Sequence, residues 1–226
     1  MDESRTWRAT LFDFDYTLAD SSAGAVDCMR YALAELRLPD VDPVACARTM
    51  GLSLPATLAA LAGEQHAHLA PEFVRLFMQR ADIVMVPRTV VYPETPPLLA
   101  ALGRLGCRRA IVSTKYRFRI EEVLARDGLA GLVEAIVGGE DVAAHKPAPD
   151  ALHLALERVG AAADEALYVG DSLVDAQAAQ SAGVAFVAVT SGHTPAEAFA
   201  PYAPLAVLGG VGELLGWMGD GADREQ

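Results

Sequence analysis

Lysine is nearly absent from this chain. Only Lys115 and Lys146 are lysines among its 18 basic residues; the rest are arginine. A chain that uses lysine so rarely can still need it where it occurs, because a compact ammonium is not interchangeable with a guanidinium. Coding bias alone would leave two lysines anywhere on the surface, so their positions decide. Positive charge as a whole is also scarce. The formal net charge is −12, which argues against nucleic acid as a partner, since its phosphates need a basic face. Cysteine is limited to Cys28, Cys46 and Cys107, with no metal or redox spacing. Any pairing would leave one thiol over, so a reducing compartment, the cytoplasm, is expected. No apolar run reaches the ~18 residues that span a bilayer, so no membrane is expected as a partner. The opening MDESRTWRAT is polar and runs straight into a strand pattern, and no signal peptide is expected.

What is present is a chain of 226 residues with 52% apolar content, enough for one full domain and a small insert. It is organised around Leu11 to Asp20, LFDFDYTLAD. The apolar run from Arg8 to Phe12 reads as a buried strand that delivers Asp13 and Asp15 into a loop. Residues i and i+2 of an extended chain point to the same side, so the two carboxylates are expected together past the strand's carboxyl end. Open parallel sheets bind their ligands there. Two like charges that close need a cation or a shared proton. Alone, the pair is equally well explained as a helix-capping turn.

From Asp20 to about Val90 the pattern is helical. Asp20-Ser21-Ser22 offers N-caps for a helix carrying Val26, Met29, Leu33 and Leu36. Further helices are expected over 42–49, 54–61 and 71–83. From Tyr92 strands and helices alternate. Strands are expected at 109–114, 132–137, 166–171, 184–189 and 205–208. Helices are expected at 93–105, 117–126, from Pro149 to about Gly160, at 173–182 and at 211–218, with a frayed tail over 219–226. Alternation of this kind implies right-handed crossovers and a parallel sheet covered on both faces. The expected fold is α/β: a Rossmann-like parallel-sheet core, residues 1–19 and 91–226, with an inserted all-helical cap, residues 20–90. The linkers would be Tyr16–Asp20 and Val90–Pro93.

All strands of a parallel sheet open on one edge. On that edge the sequence places Asp13 and Asp15, Ser113 and Thr114, Lys146, and Asp171 with Asp175. Each is explicable singly as a cap or turn residue. Together they suit phosphoryl transfer, in which positive charge and donors must meet the equatorial oxygens of an anionic ester. Lys146 and a divalent cation can supply the charge, and Ser113 can supply a donor. Hard oxygen ligands such as Asp13, Asp171 and a backbone carbonyl suit Mg²⁺. One carboxylate would attack, and the other would act as acid and then as base.

These residues resemble the four motifs of the haloacid dehalogenase-like hydrolase superfamily: D-F-D-Y-T-L, the strand ending in Ser113, Lys146-Pro, and G-D-S-L-V-D. The likeness is greatest to the phosphoglycolate phosphatase-like branch and spans residues ~8 to ~215, including the place of the helical cap. The resemblance implies Asp13 as nucleophile and Asp15 as general acid/base. It implies phosphate binding by Ser113 and Lys146 beside Thr114, and Mg²⁺ on Asp13, Asp171 and the Asp15 carbonyl. Asp175 would orient Lys146 or a metal-bound water. Two departures stand out. Tyr16 occupies a position where many members carry glycine, and a bulky residue cannot use positive φ freely. Ser113-Thr114-Lys115 replaces the branch's frequent Thr-Asn-Lys.

The same fold hosts other reactions. A dehalogenase needs neither Asp15 nor Asp171. A phosphonate hydrolase of this superfamily needs a cap lysine, and residues 20–90 contain none. A β-phosphoglucomutase-like enzyme is expected to carry a histidine where Ala25 stands. The expectation is therefore a Mg²⁺-dependent phosphatase for a small-molecule phosphate monoester, working as a monomer or homodimer. The alternatives are a phosphoglucomutase-like phosphotransferase and a non-turnover phospho-aspartate switch. Arg48, in the expected substrate loop Arg48–Ser53, and His193 are the residues whose part in specificity stays open.

Overall fold

The computed structural model describes residues 7–223. In chain order the elements are β1 (Ala9–Phe12), β2 (Ala19–Asp20), α1 (Ser22–Glu35), α2 (Pro43–Ala47), α3 (Leu54–Ala62), α4 (Ala70–Arg88) and β3 (Val90–Val91). There follow α5 (Thr95–Arg104), β4 (Arg108–Val112), α6 (Arg117–Arg126), β5 (Ala135–Val137), α7 (Asp150–Val159), β6 (Ala166–Gly170), α8 (Leu173–Ala182), β7 (Ala185–Val189), β8 (Ala206–Leu208) and α9 (Leu214–Asp223). The chain divides into two compact units. One is the helical stretch Asp20–Val90, and the other is the chain before and after it.

The second of these is an α/β unit. Its six strands lie in the order β5-β4-β1-β6-β7-β8, and every pairing is parallel. Apolar runs that are buried on both faces produce such strands. Ala9 and Leu11 of β1 join Val112, Tyr168, Leu152, Ala155, Val159 and Ala179 in one core. Fully buried side chains such as Leu11 and Leu152 contribute about 1.5–3 kcal/mol each. On the opposite phase of β1, Phe12 is buried too, as are Leu98, Leu99 and Leu102 of α5. Strand order reverses between β1 and β6, and such a switch point leaves a crevice at the strand ends. Phe12 pairs with Val169, so Asp13 and Asp171 leave the sheet on either side of that crevice.

The helical unit packs α1 on α4. Cys28, Met29, Ala32 and Leu33 meet Phe73, Phe77, Ala81, Val84 and Met85. Asp27 accepts from Arg80 Nε at 2.6 Å and meets Arg88 Nη1 at 2.9 Å. Asp42 and Ser53 cap α2 and α3 through their side chains. Asp20 Oδ1 accepts from Ser22 N at 2.8 Å at the start of α1. α4 starts with Pro71 in its first turn, where no amide hydrogen is needed, and carries on to Arg88, five residues past the expected end. A 3₁₀ turn, Glu64–Leu69, precedes it where no element was expected. Met50 packs on the helical core, whereas Leu52 and Arg48 are exposed.

Where the chain passes between the units, β2 and β3 pair as a two-stranded sheet. The sequence shows no strand there because two residues carry no periodicity. Leu18 O accepts from Tyr92 N at 3.0 Å and from Thr95 Oγ1 at 2.7 Å. α9 continues to Asp223, so residues 219–223 are helical rather than frayed. The expected tail beyond that, and the reading of residues 1–6 as free of a signal peptide, fall outside the described residues. Among the described residues no helix is long and apolar enough to cross a membrane.

Candidate active site

β1 ends in a tight turn. Phe14 O accepts from the amides of Thr17, Leu18 and Ala19, and Tyr16 N donates to Ala19 O at 2.7 Å. The turn carries Asp13 and Asp15 to separate partners. Lys146 Nζ donates to Asp13 Oδ1 at 2.8 Å. Lys115 Nζ lies 3.0 Å from Asp15 Oδ2. The two lysines of the chain thus sit on the two carboxylates of D-F-D.

Lys146 reaches the sheet edge from the loop before α7. Its ammonium also donates to Asp175 Oδ1 at 2.6 Å, Tyr168 Oη at 3.0 Å and Val112 O at 3.3 Å. Burial opposes its charge, yet Asp13 and Asp175 hold its pKa well above the usual lysine value. Lys146 is therefore a fixed cation. Asp175 is completely buried and fully bonded. Oδ1 accepts from Lys146 and from Tyr168 Oη at 2.7 Å, while Oδ2 accepts from Ser172 N at 3.1 Å and Ser172 Oγ. Ser172 caps α8 in return, accepting from Asp175 N at 3.2 Å. This capping box fixes Asp175. A Cβ at residue 170 would lie 2.6 Å from the Asp175 Cβ, so Gly170 is what lets α8 bring Asp175 against the end of β6.

Asp171 follows β6 and is 6% exposed. Thr17 Oγ1 donates to its Oδ1 at 3.4 Å, a long bond. Burial pushes its carboxyl up to about 9, with Asp175 and Asp13 adding to the rise. Asp13 is pushed up to about 7, again by burial first, while Lys146 opposes the rise. Oxygens of Asp13, Asp171 and Asp175 all lie within 4.8 Å of one another. Four carboxylates and two ammonium groups leave two negative charges in excess when all are ionised. One divalent cation cancels that excess, and hard carboxylate oxygens are the donors Mg²⁺ takes. Because Asp175 already accepts four hydrogen bonds, Asp13 and Asp171 are the carboxylates with capacity for a cation.

Ser113 is buried after β4, with its amide on Val137 O at 3.0 Å and its Oγ accepting from Lys115 N at 3.2 Å. Thr114 is exposed. Sequence reasoning missed two members of the site. Tyr168 sits mid-strand and reads as core, and no local signal distinguishes it. Lys115 was singled out by its rarity and by its place just after the second motif, but without a role or a partner.

Comparison with known proteins places the chain in a family. A haloacid dehalogenase-like hydrolase family pattern matches residues 10–189. A phosphoglycolate phosphatase of Rhodospirillum rubrum is 34% identical, over 96% of this chain and 94% of that protein. A phosphoglycolate phosphatase of Yersinia pseudotuberculosis is 31% identical, over 92% and 91%. The crystal structure of a haloacid dehalogenase-like hydrolase from Bacteroides fragilis superposes with a TM-score of 0.87 at 41% identity, covering 92% of this chain and 99% of that one. The chain belongs to the haloacid dehalogenase-like hydrolases. Within them it is a phosphatase of the phosphoglycolate phosphatase-like branch.

Proposed function

We propose that this phosphatase hydrolyses a small-molecule phosphate monoester through an aspartyl-phosphate on Asp13, with Mg²⁺ bound. The observation that carries the reading is the cluster of four acids and two lysines at the strand ends, with two negative charges in excess when all are ionised. An Asp13 oxygen attacks phosphorus and the ester P–O bond breaks. Asp15 gives its proton to the departing alkoxide. Asp15 then takes a proton from water, whose oxygen attacks phosphorus and releases Asp13 and inorganic phosphate. Lys146 holds the Asp13 carboxylate and offers its charge to the phosphate oxygens. Ser113, with Thr114 beside it, binds the phosphate. Asp13, Asp171 and the Asp15 carbonyl would hold Mg²⁺, which supplies Lewis-acid neutralisation of the phosphate charge. Asp175 and Tyr168 keep Lys146 in place. The reading includes residues 20–90 as the cap domain and a cytoplasmic location, in keeping with three buried thiols that form no disulfide. Phosphoglycolate is the first substrate to try, since both curated relatives above carry that name.

The test is phosphate release from a panel of esters, with Mg²⁺ and with EDTA, beside Asp13→Asn. Mg²⁺-dependent release that the variant lacks supports the proposal. Release that persists in EDTA overturns the metal requirement. No turnover, with a stable hydroxylamine-sensitive phosphoryl group on the parent chain, would favour a phospho-aspartate switch instead.

A further inference from the structure

Tyr16 has φ +59°. For a residue with a Cβ the left-handed region costs about 1–2 kcal/mol, and such strain persists only where surrounding contacts over-determine it. Those contacts come from one short segment after β7. Ser191 Oγ donates to the Tyr16 carbonyl oxygen. His193 Nε2 is hydrogen-bonded to the Tyr16 phenol at 3.1 Å. The two rings meet edge to face, with centroids 5.0 Å apart at 72°. Tyr16 is thus gripped at its backbone and at its tip, and is 9% exposed.

The residue between the two grips faces the other side of the site. A Cβ at Gly192 would overlap Asp171 Oδ2, so the backbone of this segment lies directly against that carboxylate. Thr17, next to Tyr16, donates to the other Asp171 oxygen. One tripeptide therefore touches both the turn that carries Asp13 and Asp15 and the end of β6. The φ of Tyr16 also sets the plane of the peptide whose carbonyl belongs to Asp15.

We infer that Ser191–Gly192–His193 is a positioning clamp. It holds Tyr16 in the left-handed conformation and so fixes the Asp15 carbonyl relative to Asp171 for cation binding. The inference rests on the metal-dependent reading above. Ser191, His193 and Tyr16 are positioning residues, which act through Asp15 and Asp171.

The test measures Mg²⁺ binding by calorimetry, and thermal unfolding in EDTA, for the full chain. The variants are Ser191→Ala, His193→Phe, His193→Gln and Tyr16→Gly. Outer groups that orient metal ligands are typically worth 10- to 100-fold in affinity. Ser191→Ala and His193→Phe should each weaken Mg²⁺ binding by about tenfold, with metal-free unfolding within a few degrees of the parent. Glycine holds the left-handed turn without strain and needs no clamp, so Tyr16→Gly should keep parent-like affinity. His193→Gln, which retains a hydrogen-bonding group, should recover most of the affinity. Parent-like affinity in Ser191→Ala and His193→Phe overturns the clamp while leaving the metal-dependent reading intact. A parent chain that binds no Mg²⁺ overturns both.

Discussion

Lys115 Nζ stands 3.0 Å from Asp15 Oδ2, and its side chain is 8% exposed. A nearly buried ammonium on the proposed acid/base is a strong local field, since screening by water is weak there. It gives the less conspicuous of the two lysines a defined place. In the proposed mechanism Lys146 serves the carboxylate that attacks, and Lys115 the carboxylate that moves the proton.

Replacing Lys115 with methionine should therefore lower kcat by about tenfold or more on an alkyl phosphate, because a positioned proton donor contributes about 10²–10⁴-fold. The loss should be smaller on p-nitrophenyl phosphate, whose leaving group needs little protonation. Steady-state kinetics on both esters check this. An equal loss on both would place Lys115 on the phosphate rather than on Asp15.

Asp13→Asn should reduce turnover by about 10³-fold or more, since it removes the proposed nucleophile. Intact-mass measurement after acid quench should find a phosphorylated species in the parent chain and none in the variant. A phosphoryl group on the variant, or retained turnover, would assign the attack to another group.

Tyr168→Phe removes a buried hydroxyl that donates to Asp175 at 2.7 Å and accepts from Lys146 at 3.0 Å. Leaving buried polar partners short of a bond costs about 1–3 kcal/mol. Urea unfolding should show a lower midpoint with an unchanged slope. Because Lys146 is then held by fewer bonds, kcat should fall as well. Parent-like stability would mean that water takes the hydroxyl's place.

Asp27 offers a test of the helical unit by pH. Hydrogen bonding from Arg80 holds its carboxyl below the usual 3.8, and Arg88 adds to this. A carboxyl that ionises more readily when folded stabilises the fold above 3.8, and that contribution is lost as pH falls through the lowered folded value. Asp27→Asn should thus unfold at a lower temperature than the parent at neutral pH. The gap should close below about pH 4. A gap that stays constant from about pH 7 into that range would assign the effect to packing.

The α/β alternation was legible because its signals are local and redundant. β6 and α8 fall where the apolar run Ala166–Val169 and the closing Gly183 put them. α4 was underestimated because its last turn holds Pro87, which reads as a breaker but lies one residue from the helix end. In the site, the strand ends could be read from single residues, and their gathering at one edge from topology. The pairing of Lys115 with Asp15 could not, because an ion pair between β1 and β4 leaves no trace in spacing. Tyr16 shows the limit most sharply. Its size argues against positive φ, and it adopts positive φ because residues far along the chain hold it there.

The pairing of β2 with β3 has a consequence for how the chain is assembled. Entry to and exit from the helical stretch occur on neighbouring strands. To the sheet, everything from Asp20 to Val90 is topologically a single turn. The entropy of closing a loop grows only slowly with its length, so the core would tolerate a longer or shorter stretch there at nearly constant cost. The α/β unit and the helical stretch are thereby separable in inheritance: one can be exchanged through two adjoining peptide bonds while the other is left untouched.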